Sequence, residues 1–302
     1  SADNKFIYAV NENGSHSTVS AFSYDSASGK ISLLNKNDAL GADPCHLIND
    51  DKNVIAANYS GGSIVVYKKN ADGSISEVQQ LIQHEGRGPN AARQEKAHVH
   101  MVTFSPDKKF VLVNDLGLDK IFIYKYNPAS KNEILTLKSS VDVKPGSGPR
   151  HLTFSKDGKF VYLVQELDGT LTSFSYDKTG SLKQIAETSI LPKDFKGGTG
   201  AAAIKISPDG NFLYVSDRVD ANSITVYKIL KNGSIEKVEQ QSTLGKGPRD
   251  FAIDPTGNYL LVGHQYTNDI VIFKRDIATG KLTDTGKRIQ LCSPVGLVFT
   301  KI

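Results

Sequence analysis

Tryptophan is absent from these 302 residues, methionine occurs once, and the only cysteines are Cys45 and Cys292. Two cysteines cannot form a disulfide framework, so the fold must rest on packing; both thiols are expected to be reduced, as in a reducing compartment. Charge of one sign is scarce as well. The formal net charge is +4, and the lysines are scattered along turns instead of lining one stripe, which argues against a nucleic-acid partner. No apolar run exceeds the length of one strand, far short of the roughly 20 residues that cross a bilayer, so no membrane association is expected. No signal peptide is expected within these residues, and the opening on Ser1 instead of Met raises the expectation of a lost leading segment. A cytoplasmic location is expected, or a periplasmic one if that segment carried an export signal.

What the chain does have is glycine (26), 13 Phe and 12 Tyr, with Val, Ile and Thr throughout, a β-rich composition. It also repeats. The segments KFIYAV (5), NVIAAN (53), KFVLVN (109), KFVYLV (159), NFLYVS (211) and NYLLVG (258) recur about every 50 residues. Each is followed by a second alternating run, such as TVSAFSY (18) or SITVYKI (223), then a Gly-bearing turn and a third run. Five of the six are preceded by a further apolar strand (HLIND, HMVTFS, RHLTFS, AAIKIS, RDFAID), joined through SPDK, SKDG, SPDG or DPTG hairpin turns. Four antiparallel strands, A to D, per repeat of about 50 residues is a β-propeller blade. The expectation is an all-β, single-domain propeller over residues 1–302. SADNKF opens without its A strand, and SPVGLVFTKI (293–302) reads as an A strand without followers. The two ends suggest either a six-bladed ring closed by that last strand or a larger ring whose N-terminal blade is missing.

Antiparallel pairing puts the start of A beside the end of B, so one rim collects residues about 15 apart. It gathers His46 with Asn58, His100 with Asn114 and Asp115, and Arg150 with Glu166. Beyond these come Ala202 with Asp217 and Arg218, and Arg249 with His264 and Gln265. Arg150 and Arg249 both follow a Gly-x-Gly-Pro sequence, whose glycines let the loop fold onto the strand while proline fixes its entry. A rim rich in Arg, His and carboxylates suits a small polar anion. The competing reading is a merely solvated rim in which Arg150 and Glu166 form a cross-strand ion pair. The long connection HEGRGPNAARQEKAHVH (84–100) is expected to act as a lid bringing Arg87, Arg93 and Gln94 to that rim. His98 and His100, two apart in an extended chain, point the same way, but no third ligand has suitable spacing, so no metal is assigned.

GRGPNAARQEKAHVHMVTFSPDKKFVLVNDLGLDKI, GSGPRHLTFSKDGKFVYLVQE and ISPDGNFLYVSDR closely resemble the lactonase family of seven-bladed β-propellers. That family includes bacterial 6-phosphogluconolactonases and is similar to fungal carboxy-cis,cis-muconate lactonizing enzymes. The resemblance spans essentially the whole chain and implies seven blades, one of them missing before Ser1. It implies a cofactor-free hydrolase of carbohydrate metabolism acting on an anionic sugar lactone, 6-phosphoglucono-δ-lactone above all, as a monomer or weak homo-oligomer. By position it implies catalytic roles for His100, Arg150, Glu166 and Arg218. His98, Asp115, Arg249, His264, Gln265 and Arg93 are the candidate substrate-binding residues. The rival readings are a muconate-type cycloisomerase using the same residues and a non-enzymatic binding or scaffold propeller.

Overall fold

The computed structural model describes residues 1–300. Among them, 23 strands form six antiparallel sheets, the blades of an all-β propeller. The chain divides into two compact units, one over Ser1–Pro149 and the other from Arg150 onward.

The first unit opens with a three-stranded sheet: β1 (Phe6–Asn11), β2 (Thr18–Asp25) and β3 (Lys30–Asp38). Two four-stranded sheets follow. One runs β4 (Pro44–Asn49), β5 (Asn53–Asn58), β6 (Ser63–Lys69) and β7 (Ile75–Gln83). The next runs β8 (Val99–Phe104), β9 (Phe110–Asp115), β10 (Lys120–Tyr126) and β11 (Leu135–Asp142).

The second unit holds three four-stranded sheets. They are β12 (Pro149–Phe154) to β15 (Leu182–Ser189) through β13 (Phe160–Gln165) and β14 (Thr170–Tyr176); β16 (Ala201–Ile206) to β19 (Ile235–Ser242) through β17 (Phe212–Asp217) and β18 (Ser223–Ile229); and β20 (Pro248–Ile253) to β23 (Leu282–Gln290) through β21 (Tyr259–His264) and β22 (Asp269–Arg275). In every sheet sequence order is spatial order, as the repeat predicts.

Strands such as NVIAAN are apolar without alternation because both faces are covered. In β5, Val54 and Ala56 pack with Val19 and Ala21 of the preceding sheet, whereas Ile55 and Ala57 pack with Val102, Val111 and Val113 of the next. Each such Val or Ile contributes about 1.5–3 kcal/mol of apolar burial. The B-strand aromatics lock blade to blade by a second device. Phe160 lies under Gly233 of the next blade's turn sequence NGS, and Phe6 lies under Gly73 of DGS in the blade after its own. A Cβ on Gly233 would come within 2.2 Å of the Phe160 ring, and Gly233 has φ +82°.

The SPDK, SKDG and SPDG turns recur for a local reason. Ser105, Ser155 and Ser207 each donate to the Asp two residues on (2.8, 2.7 and 2.7 Å) and accept from the backbone N–H of Phe110, Phe160 and Phe212. This self-contained bracket sets the hairpin without tertiary help.

Two expectations are corrected. Residues 293–300 form no strand: the Leu297 N–H donates to the Asp250 carboxylate at 2.8 Å instead of to a sheet neighbour, and Val298 is left exposed. The end of the expected strand, residues 301–302, lies outside the described residues. Nor does the 84–98 connection carry Gln94 toward the rim. Gln94 is fully buried, donating to Leu116 O at 2.8 Å and accepting from Asn90 N–H at 3.1 Å, which pins the loop from beneath.

Candidate functional site

The loops that deliver the A strands are held by one repeated contact. Just before a C strand stands a residue with left-handed backbone: Asp119 (φ 52°), Asn222 (φ 39°) and Asn268 (φ 58°). The Asp119 carboxylate accepts from Gly146 and Gly148 N–H at 2.7 and 2.9 Å, fixing the loop that runs into Pro149 and Arg150. Asn222 accepts from Gly247 N–H at 2.7 Å ahead of Pro248 and Arg249, and Asn268 from Ser293 N–H at 2.9 Å. Asn and Asp tolerate the left-handed region and offer the oxygen these loops need.

A strand then pairs with the end of B as expected, but with a bulge. Pro44 faces Asn58 while His46 faces Ala57, Val99 faces Asp115 while Met101 faces Asn114, and Pro248 faces His264 while Asp250 faces Gly263. The skipped residues are Cys45, His100 and Arg249; in β16 the extra residue falls between Ala201 and Ile204. A bulged residue leaves the ladder and its side chain is re-aimed. Arg150 follows Pro149 as Arg249 follows Pro248.

In the second unit the structure brings Arg150, Glu166 and Arg218 together. Arg150, only 2% exposed, donates from Nε to Glu166 Oε2 at 2.8 Å and from Nη1 to the Ala202 carbonyl at 2.6 Å. Arg218 approaches the same Oε2 through Nη2 at 3.0 Å and donates from Nε to Gly200 O at 2.9 Å. One buried carboxylate oxygen thus serves two guanidiniums. Gly200 is held in turn by Asp217, whose Oδ2 accepts from Gly200 N–H at 3.2 Å and from the Thr199 hydroxyl. Burial pushes the Asp217 carboxyl above the usual carboxylate range, the first of several opposing influences.

In the first unit His100 is buried on β8, with Nδ1 at 3.8 Å from Cys45 Sγ and its ring edge-on to Tyr59. His98 stacks on the same Tyr59 ring, with centroids 4.6 Å apart. Its Nδ1 contacts Tyr59 O at 3.1 Å and its Nε2 contacts Glu95 at 3.2 Å, so both nitrogens are engaged by the protein. Arg93 reaches the Tyr59 hydroxyl from the exposed side at 3.2 Å, while Arg87 lies exposed on the loop. Among the described residues no three His, Cys, Asp or Glu groups are grouped to hold a metal.

Of the candidate binding residues, Asp115 and His264 are buried and Gln265 is tied down through its backbone. Asp115 is fully buried: Oδ1 accepts from His98, Gly117 and Leu118 N–H (2.8, 3.0 and 3.2 Å), and Oδ2 meets His84 Nδ1 at 2.7 Å. It caps a turn, a role that residue type and rim position do not reveal. His264 is also fully buried, its ring packed beneath Gly245 and 3.2 Å from Asp269; burial lowers its pKa below the ordinary histidine value. Gln265 is half-buried, its N–H donating to Gly247 O at 2.9 Å and its carbonyl accepting from Ser293 at 2.8 Å. Arg249 is half-buried on its bulge. Sequence reasoning missed Tyr59, Cys45 and the Gly200 carbonyl. Only Cys45 had a readable signal, standing after Pro44 as the arginines stand after their prolines.

These features define a class: an all-β propeller with a buried histidine on a bulged A strand of the first unit and, in the second, a buried glutamate bridged by two arginines. The chain belongs to the lactonase family of seven-bladed β-propellers, described as "Lactonase, 7-bladed beta-propeller", which matches residues 1–299. It is 35% identical over 301 residues to the 6-phosphogluconolactonase of Bacillus subtilis, covering 98% of this chain and 84% of the relative. A Bacteroides fragilis protein of known crystal structure shares 43% identity with TM-score 0.93, over 98% and 84% of the two chains. The periplasmic gluconolactonase PpgL of Pseudomonas aeruginosa shares 33% with TM-score 0.95, over 100% and 86%.

Proposed function

We propose that the chain is a 6-phosphogluconolactonase, a hydrolase opening 6-phosphoglucono-δ-lactone to 6-phosphogluconate without a cofactor. The observation that carries this is the Arg150–Glu166–Arg218 cluster, together with the Bacillus subtilis relative's name. Two guanidiniums on one carboxylate oxygen give a pre-oriented pair of cationic donors. That suits an anionic substrate and an ester carbonyl that becomes an oxyanion. Arg150, fixed by both Glu166 and Ala202 O, takes the carbonyl side; Arg218 or Arg249 takes the phosphate. Glu166 Oε2 already accepts two charge-assisted bonds, which makes it a poor proton acceptor, so the water-activating base is His100, imidazole being the side chain most suited to general-base work near neutral pH. A general base contributes about 10²–10⁴-fold, adequate for an ester that hydrolyses unaided. His98 and Asp115 act by holding their own segments.

A cytoplasmic monomer or weak homo-oligomer goes with this reading, supported by two cysteines that form no disulfide. No helix of the described residues is long and apolar enough to cross a membrane. The test compares acid release from 6-phosphogluconolactone, from unphosphorylated gluconolactone, and cycloisomerisation of a carboxymuconate. Acceleration with the phosphorylated lactone above the others is expected. Turnover of the muconate alone would replace the assignment, and no turnover of any by folded protein would leave a binding propeller.

A further inference from the structure

Arg218 is tied to the protein along one edge of its guanidinium. Nε donates to Gly200 O at 2.9 Å, and Nη2 lies 3.0 Å from Glu166 Oε2. These two nitrogens share one side of a planar group, so the two contacts together fix its plane as well as its position. Nη1, at the other end, meets no protein group among the described residues, and the side chain is 14% exposed. The orientation of that free end therefore depends on whatever holds the Gly200 carbonyl.

Residues 198–200 are zipped to residues 217–220. Gly200 O accepts from the Arg218 backbone N–H at 3.2 Å as well as from Nε. Gly198 N–H donates to Asp220 Oδ2 at 2.6 Å, and Gly198 O accepts from Asp220 N–H at 3.4 Å. Asp217, 1% exposed at the end of β17, secures the two residues between by accepting from the Thr199 hydroxyl and the Gly200 N–H through Oδ2. The approach is close enough to demand glycine: a Cβ on Gly200 would come within 2.8 Å of Val219 Cγ2, and one on Gly197 within 2.8 Å of Asp220 Cβ. We propose that Asp217 is a positioning residue for Arg218. It anchors Thr199 and Gly200, the Gly200 carbonyl sets the guanidinium plane, and the free Nη1 end takes the substrate's phosphate. The last step rests on the lactonase reading; the anchoring of Arg218 does not.

The experiment uses the full chain and two readouts, one of them free of ligand. Proton–nitrogen NMR follows solvent exchange of the Arg218 Nε–H, assigned by its loss in Arg218→Lys. Exchange should be slow in the parent and about 10-fold faster in Asp217→Ala, and should slow again in Asp217→Asn, whose amide oxygen still accepts both bonds. Calorimetry then compares 6-phosphogluconate with gluconate. Asp217→Ala should weaken the phosphorylated ligand about 10-fold and leave gluconate unchanged. Gly200→Ala should act in the same way by lifting the loop off Val219, and the double variant Gly200→Ala/Val219→Ala should recover the parent's behaviour, since Val219 is exposed and its removal relieves the clash. That pair decides the matter if Asp217→Ala does not fold. Unchanged Nε–H exchange in Asp217→Ala, an asparagine variant no better than the alanine one, or equal losses for both ligands would each overturn the proposal. If exchange responds as expected while the parent neither binds 6-phosphogluconate nor turns over its lactone, Asp217 keeps its role and the lactonase reading falls.

Discussion

Replacing Glu166 by Gln removes the negative charge while keeping the shape of the side chain that two arginines share. Arg150 Nε and Arg218 Nη2 lie 2.8 and 3.0 Å from Glu166 Oε2, all within a largely buried cluster. A hydrogen bond to a charged group is worth about 1.5–3 kcal/mol and a neutral one about 0.5–1.5. Converting two of them costs about 2 kcal/mol, before counting repulsion between guanidiniums that have lost their counter-ion. The total should approach the 3–5 kcal/mol typical of breaking a buried pair. Urea unfolding of the parent, Glu166→Gln, Arg218→Gln and the double variant closes a cycle. A coupling energy of about 1–2 kcal/mol between positions 166 and 218 is expected. Additive effects, or a Glu166→Gln protein as stable as the parent, would refute the shared-carboxylate account.

Gly233→Ala should lower stability by about 2–4 kcal/mol, adding a left-handed alanine to overpacking against the Phe160 ring, with KM unaltered; thermal unfolding alongside kinetics checks both. His264 has a pKa lowered by burial, so the unfolded chain binds its proton more readily. The stability from keeping it neutral is present above the unfolded value of about 6.5 and is lost as pH falls through the folded pKa. His264→Gln should therefore flatten the stability profile between pH 7 and 5; an unchanged slope in urea titrations would contradict this. Asp217, whose pKa is raised by burial, works in the opposite sense: its contribution is greatest below about pH 4 and lost as pH rises through the folded pKa. The stability of Asp217→Asn relative to the parent should accordingly be greater at pH 7 than at pH 4.

Much of the fold is written in local chemistry. The Ser-x-Asp brackets and the alternating runs each depend on neighbours close in sequence, so the blades and their strand order are readable. The pairing of Arg150 with Glu166 is readable too, because antiparallel phase alone sets it. What alternation does not encode is a bulge. One unpaired residue moves His100 and Arg249 off the ladder and brings Cys45 against His100, and no periodicity announces it. Burial on both faces is equally silent: Asp115 and His264 occupy rim positions in sequence, yet each lies wholly inside, one capping a turn and the other beneath Gly245. The 293–300 segment has a strand's composition but its backbone answers to the Asp250 side chain, a contact set by tertiary placement.

The most direct measurement is the initial rate of acid release from freshly made 6-phosphogluconolactone, spontaneous hydrolysis subtracted, for the parent and for Arg150→Ala, both shown to be folded by circular dichroism. The account predicts acceleration by the parent and a loss of about 10²–10³-fold in the variant, the usual effect of removing one oxyanion donor. A folded Arg150→Ala protein that hydrolyses the lactone at the parent's rate would contradict it.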